Sequence, residues 1–170
     1  MIAEPGRSIA TAWSTLFTMI QGRRIEQERD GSPAARKFLY YLNDGVYGSF
    51  NSIMFDHAKP QPLPVSRLLL EHLVLEKPMG FTGLDTDARL FPATFFGLTC
   101  DSMDVIVEDF ELEELNVGQW VAFKDMGAYT AAAASTFNGM PKAMVYYARS
   151  PEVDHRNHTR HVDEKIPSYA

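Results

Sequence analysis

The sequence predicts a mainly β domain behind a short helical lead-in, and three observations carry that prediction. Aromatic and β-branched runs bounded by turn residues recur from position 38 onward. The clearest helical spacing lies ahead of them, over 8–20. Between the two, a charged stretch closes on Asp30-Gly31-Ser32-Pro33, and the texture changes there from helical to extended.

Over 8–20, Ile9, Trp13, Leu16, Phe17 and Ile20 fall on one face of a helix, with Ser8 as its cap and Gly22 at its end. Residues 23–33 read as an exposed connection. The aromatic run 38–42, the turn Asn43-Asp44-Gly45 and the Val, Tyr, Phe and Ile of 46–55 predict two strands of a hairpin. Pro60, Pro62 and Pro64 end that unit, because proline donates no ladder hydrogen bond. Residues 65–76 have the pattern of a short helix capped by Ser66, and 77–92 that of a loop. Strands are expected over 104–107, over 119–123 after a Val117-Gly118 turn, and over 142–148. Past Arg149 the chain is polar without periodicity, the pattern of a fraying tail, and no internal repeat is present.

With 170 residues, 45% of them hydrophobic, the chain is long enough for one self-sufficient core. The lone Cys100 excludes an intramolecular disulfide framework and paired-cysteine zinc sites, and suits a reducing, intracellular setting. Acidic residues outnumber basic ones 22 to 16, so neither nucleic acid nor an anionic membrane surface is indicated. No signal peptide or membrane-length apolar run is legible.

Five groups of residues bear chemistry. Glu4-Pro5-Gly6-Arg7, at the predicted helix start, suits an anion such as phosphate, or simply punctuates a turn. In Gly97-Leu98-Thr99-Cys100-Asp101 a carboxylate beside a thiol disfavours the thiolate, so Cys100 suits a proton donor; a buried, inert cysteine is the alternative. The small residues of 126–139 allow close backbone approach and Tyr129 offers a hydroxyl to an anion, although a tight loop has the same composition. Of Asp56 and His57, adjacent residues that point to opposite faces of a strand, Asp56 is the stronger candidate. His155, His158 and His161 have a metal-like spacing but lie in the polar tail, which favours solvation over ligation.

Read together, IAEPGR, YYLNDGVYGSFNSIMFDH, GLTCDSMD, VGQWVAFKDMGAYTAAAASTFNG and VYY resemble, in order and spacing, the C-terminal part of eukaryotic-type ornithine decarboxylases. These are pyridoxal-phosphate decarboxylases of basic amino acids built on an alanine-racemase-like barrel. The resemblance implies a mainly β, sandwich- or barrel-like C-terminal domain, preceded by the last strand and helix of an otherwise absent TIM barrel. Its boundaries are 1–22 for the barrel remnant, 23–35 for a linker, 36–149 for the β-domain with a divergent insertion at about 65–92, and 150–170 for the tail. It implies that Glu4 pairs with the cofactor's pyridine nitrogen, and that Gly6, Arg7 and Tyr129 hold its phosphate. Cys100 is implied as the donor of a proton to the α-carbon, and Asp56 and Asp101 as the carboxylates that hold the distal ammonium of the substrate. Aspartate rather than glutamate at 101 argues against diaminopimelate as that substrate.

The resemblance further implies a cytoplasmic homodimer whose active sites are shared between subunits, with Tyr47, Asp104 and Phe137 at the interface. Phe55 stands where the family usually has tyrosine, Leu98 where it has proline, and Phe96 where it has tryptophan. None of Lys37, Lys59, Lys77, Lys124, Lys142 and Lys165 lies in the context of the family's Schiff-base lysine. The expected function is therefore that of the C-terminal fragment of an ornithine decarboxylase, inactive alone. The rival is a non-catalytic homologue that regulates polyamine synthesis by binding a decarboxylase or its inhibitor. The presence of Tyr129, Cys100 and Asp101 favours descent from a working enzyme.

Overall fold

A computed structural model describes residues 5–27, 36–66 and 89–147. Six strands form one mixed sheet: β1 (Leu16–Gln27), β2 (Arg36–Leu42), β3 (Leu63–Pro64), β4 (Leu90–Phe96), β5 (Val105–Glu113) and β6 (Trp120–Phe123). Their order across the sheet is β3-β6-β1-β2-β4-β5. All neighbours are antiparallel except β2 and β4, and that parallel pair requires the long connection carrying α2 (Ser52–Asp56) and β3. A helix, α1 (Gly6–Ala10), and a 3-10 turn (Thr11–Trp13) precede the sheet. The expected mainly β class is what the chain forms.

The strand over 38–42 is where the sequence placed it. Phe38, Leu39, Tyr40 and Leu42 are all buried, as befits a central strand covered on both faces. Tyr40 keeps its hydroxyl satisfied by accepting a hydrogen bond from the Leu115 N–H at 2.8 Å. Phe38, Tyr40, Phe91 and Phe95 pack ring against ring beneath the sheet, and Ile20, Phe50, Val121 and Phe123 close the same core.

The helix expected over 8–20 stops early, and positions 16–27, including part of the expected connection, form β1. The strand runs through position 22 with a register shift between Ile20 and Gly22. The reason is non-local: Leu16 to Met19 pair with β6, while Ile20 to Gln27 pair with β2, so ladders on both sides hold one long strand. Burial now alternates, with Thr18 and Ile20 inward and Phe17 outward, which is the period of a strand.

The second hairpin strand, expected over 46–55, is instead a tight coil followed by α2. Asp44 Oδ1 accepts from the Gly45 and Ser49 N–H groups at 2.8 and 2.9 Å, and Gly45 O accepts from Gly48 and Phe50. A carboxylate side chain thus replaces the strand ladder locally. Pro64, expected to lie outside any strand, pairs with Val121 in the two-residue edge strand β3, an edge being where proline is tolerated. β5 extends well past the expected 104–107, to Glu113.

Over 142–147, the described part of the strand expected at 142–148, no strand forms. Residues 142–147 are exposed and irregular, since a β-prone run without a ladder partner has nothing to stabilise it as a strand. The helix expected over 65–76 has its first two residues in helical conformation, and the rest lies outside the described residues, as do most of the 77–92 loop and the histidine-bearing tail. Among the described residues no helix is long and apolar enough to cross a membrane.

Candidate functional site

The chemistry-bearing residues fall into two groups. In the first, α1 presents Arg7, the end of α2 presents Asp56, and the loop after β6 presents Tyr129. The guanidinium of Arg7 is ion-paired with Asp56 and lies over the Tyr129 ring, 5.4 Å from its centroid. Asp56 reaches this position because α2 terminates at His57, whose left-handed backbone (φ 52°) turns the chain away. The expected opposition of Asp56 and His57 on a strand is thereby replaced by a helix end. Tyr129 is also left-handed (φ 53°) and is 56% exposed, a strained backbone at a candidate site residue. Gly6 opens α1 with no atom within 4 Å of where a β-carbon would stand. Glu4 lies outside the described residues.

The donor set of this group matches one end of the expected cofactor. A guanidinium, a phenol and an unobstructed glycine suit a phosphate dianion. The α1 helix is only five residues long, so the guanidinium and the hydroxyl carry that suitability rather than a helix dipole. A phosphate at Arg7 would have to displace the Asp56 carboxylate from the guanidinium.

The second group is built on the loop between β4 and β5. Cys100 is exposed, which removes the alternative of a buried, inert cysteine. Asp101 is held at both oxygens: the Met103 N–H donates to Oδ1 at 2.9 Å, and the Tyr47 hydroxyl donates to Oδ2. These bonds, that from Met103 first and that from Tyr47 second, hold the Asp101 carboxyl below the usual aspartate value. The Tyr47–Asp101 bond, as the main cause, holds the Tyr47 phenol above the usual tyrosine value, because ionisation would remove the proton that makes the bond.

Phe137 packs its ring on that of Tyr47, with centroids 4.2 Å apart. The Ser135 N–H and hydroxyl both donate to the Tyr47 carbonyl, at 2.9 and 3.1 Å. Beside Phe137, the Asn138 side-chain amide reaches Cys100 Sγ at 3.7 Å.

Asp104 occupies the base of this loop at 1% exposure. Its Oδ1 accepts from the Val46 N–H at 2.8 Å, and its Oδ2 accepts from the Thr99 N–H and hydroxyl at 3.0 and 2.7 Å. Gly45 and Gly97 leave room for it: a β-carbon at either position would stand 2.3 or 2.0 Å from Asp104 Oδ1. One carboxylate therefore ties the coil carrying Tyr47 to the loop carrying Cys100 and Asp101. Asp104 was expected at a subunit interface; its carboxylate here is spent on its own chain.

Among the described residues, no hydrogen bond, ion pair or ring contact links the Arg7 group to the Cys100 group, and no cluster of three His, Cys, Asp or Glu side chains could hold a metal ion. Sequence reasoning placed Thr99, Ser135 and Asn138 inside candidate motifs but gave none of them a role. Only Asn138 carried a local signal, the Asn-Gly pair typical of left-handed turns.

Comparison with known proteins shows the family. The model of the pyridoxal-dependent decarboxylase C-terminal sheet domain matches residues 12–127. Over 165 residues the chain is 43% identical to a probable ornithine decarboxylase of Dictyostelium discoideum, a match covering 92% of this chain and 32% of that protein. It is 40% identical over 152 residues to antizyme inhibitor 2 of Xenopus laevis, covering 87% of this chain and 30% of that one. A lysine/ornithine decarboxylase of Vibrio vulnificus, solved in complex with cadaverine, superposes with a TM-score of 0.59 at 34% identity, over 81% of this chain and 30% of that one. The chain spans about a third of the length of the curated relatives it matches.

Proposed function

Because the chain belongs to the pyridoxal-dependent decarboxylases and carries their C-terminal sheet domain, we propose that it supplies the C-terminal half of an ornithine decarboxylase active site. The match covers about a third of its relatives' length, and none of the six lysines of the chain lies in the family's Schiff-base context. The observation that carries the reading is the exposed Cys100 beside an Asp101 carboxylate held at both oxygens. Pyridoxal phosphate, when bound, supplies the electron sink that makes loss of carbon dioxide feasible. Arg7 and Tyr129 would bind its phosphate, and Glu4 is assigned to its ring nitrogen by the family resemblance alone. The Cys100 thiol gives its proton to the α-carbon, keeping the electron pair on Sγ, and solvent restores the proton. Asp101 and Asp56 hold the distal ammonium of ornithine, so the product is putrescine.

The division into an Arg7 group and a Cys100 group supports a shared site in a homodimer. Each copy lends Cys100 and Asp101 to the cofactor held by the other, with Tyr47 and Phe137 at the junction. The test is direct: the purified chain mixed with pyridoxal phosphate is expected to develop no Schiff-base absorbance and to release no carbon dioxide from ornithine. Turnover by this chain alone overturns the reading.

The 40% identity to antizyme inhibitor 2 favours a second reading, in which the chain binds a decarboxylase or its inhibitor and performs no chemistry. A pull-down with a full-length decarboxylase, followed by an activity assay, separates the two: a change in the partner's activity on binding supports regulation.

A further inference from the structure

We propose that Asn138 is a positioning residue for Cys100, holding the sulfur through a hydrogen bond from its side-chain amide. The proposal rests on the reading of Cys100 as the proton donor. Five residues close a circuit around that sulfur. Cys100 is bonded to Asp101, Asp101 accepts from Tyr47, the Tyr47 ring packs tilted against that of Phe137, Phe137 is bonded to Asn138, and Asn138 Nδ2 reaches back to Cys100 Sγ at 3.7 Å, within the range for a sulfur acceptor.

The segment presenting Asn138 is pinned independently. Ser135 is fixed to the Tyr47 carbonyl through its N–H and hydroxyl, and its Oγ accepts from the Phe137 N–H at 3.3 Å. Asn138 then takes a left-handed conformation (φ 56°, ψ 21°), followed by Gly139 at φ 71°. Such a backbone is uncommon for a residue with a β-carbon, and asparagine is among the few that tolerate it. That turn aims the side chain at the thiol.

The chemical consequence follows from the proton balance. When the thiol gives up its proton, the S–H electron pair stays on sulfur and the group becomes an anion beside the Asp101 carboxylate. An amide N–H aimed at the sulfur offsets part of that charge, and it holds Sγ in one orientation on an otherwise exposed side chain.

Cys100 is the one cysteine of the chain, so alkylation reports on it alone. The experiment is the pH–rate profile of iodoacetamide alkylation in the full chain and in two variants. Asn138→Gly keeps the left-handed turn and deletes the amide, whereas Asn138→Asp keeps the shape and replaces the donor with a carboxylate. At neutral pH the glycine variant is expected to react about threefold more slowly than the parent, and the aspartate variant more slowly still, with the difference closing at high pH. Profiles that superimpose, or a glycine variant that is faster at every pH, overturn the proposal. The proton-donor reading fails separately: Cys100→Ser retaining full decarboxylation in an assembled enzyme would sink that reading and leave the alkylation result standing.

Discussion

The hydroxyl of Tyr47 donates to Asp101 across 54 positions of sequence, joining the coil after β2 to the loop after β4. Replacing Tyr47 with Phe removes the donor and keeps the ring on Phe137. The Asp101 carboxyl is then expected to titrate closer to the ordinary aspartate value, with only the Met103 N–H still holding it down. Carbon-13 NMR titration of the side-chain carboxyl measures this, and an unchanged curve contradicts the geometry.

The same pair bounds the pH range of stability. Asp101 titrates below its ordinary 3.8 in the folded chain, so its contribution is present above that value and is lost as pH falls through the lower folded value. Tyr47 titrates above its ordinary 10.0, so its contribution is present below 10.0 and is lost as pH rises through the higher folded value. Tyr40 is raised as well, chiefly by burial, and adds to the alkaline loss. Urea unfolding across pH is expected to show a plateau between two falling limbs, with the alkaline limb reduced but not abolished in Tyr47→Phe.

Asp104→Ala leaves the buried Val46 donor and the half-buried Thr99 donors without their acceptor. A loss of about 3 kcal/mol or more is expected in chemical unfolding, since hydrogen bonds to a charged group contribute more than neutral ones and orphaned donors add a penalty. Gly97→Ala is expected to be comparably damaging although it removes no contact, because its β-carbon would collide with the same carboxylate. In both variants Cys100 is expected to react faster with thiol reagents as its loop loosens. A stable Gly97→Ala variant with unchanged thiol reactivity would contradict the clamp.

Ile20 and Phe17 separate strand from helix experimentally. On a helix both would share the apolar face, whereas in β1 Ile20 is buried and Phe17 is 48% exposed. Ile20→Ala is expected to cost about 2–5 kcal/mol and Phe17→Ala about 1 kcal/mol or less. Equal costs in thermal or chemical unfolding would favour the helical assignment.

Local patterns were legible wherever one short stretch decided the outcome. The run 38–42 announced a buried strand because its hydrophobicity is continuous, and Val117-Gly118 announced a turn that Gly118 realises at φ 89°. Cys100, Asp101, Arg7 and Tyr129 stand out as reactive residue types by their side-chain chemistry alone. Over 46–55, β propensity misled, although Val46, Phe50 and Ile53 recur at helical steps and all pack toward the core. The partners of Asn138, Thr99 and Ser135 were illegible because an amide or a hydroxyl acquires meaning only from what stands opposite it.

The sequence by itself determined the β-rich class, the central strand and the kinds of groups available for chemistry, since these follow from composition and short-range pattern. Tertiary structure decided that 16–20 is a strand, because ladders to β2 and β6 outweigh a helical period that only local spacing supported. It also decided that Tyr47 stands beside Asp101, because the buried Asp104 carboxylate accepts from Val46, 58 positions away, while gripping Thr99 in its own loop. A hydrogen bond between distant segments leaves no trace in local periodicity, so the site existed in the sequence only as residues and became an arrangement on folding.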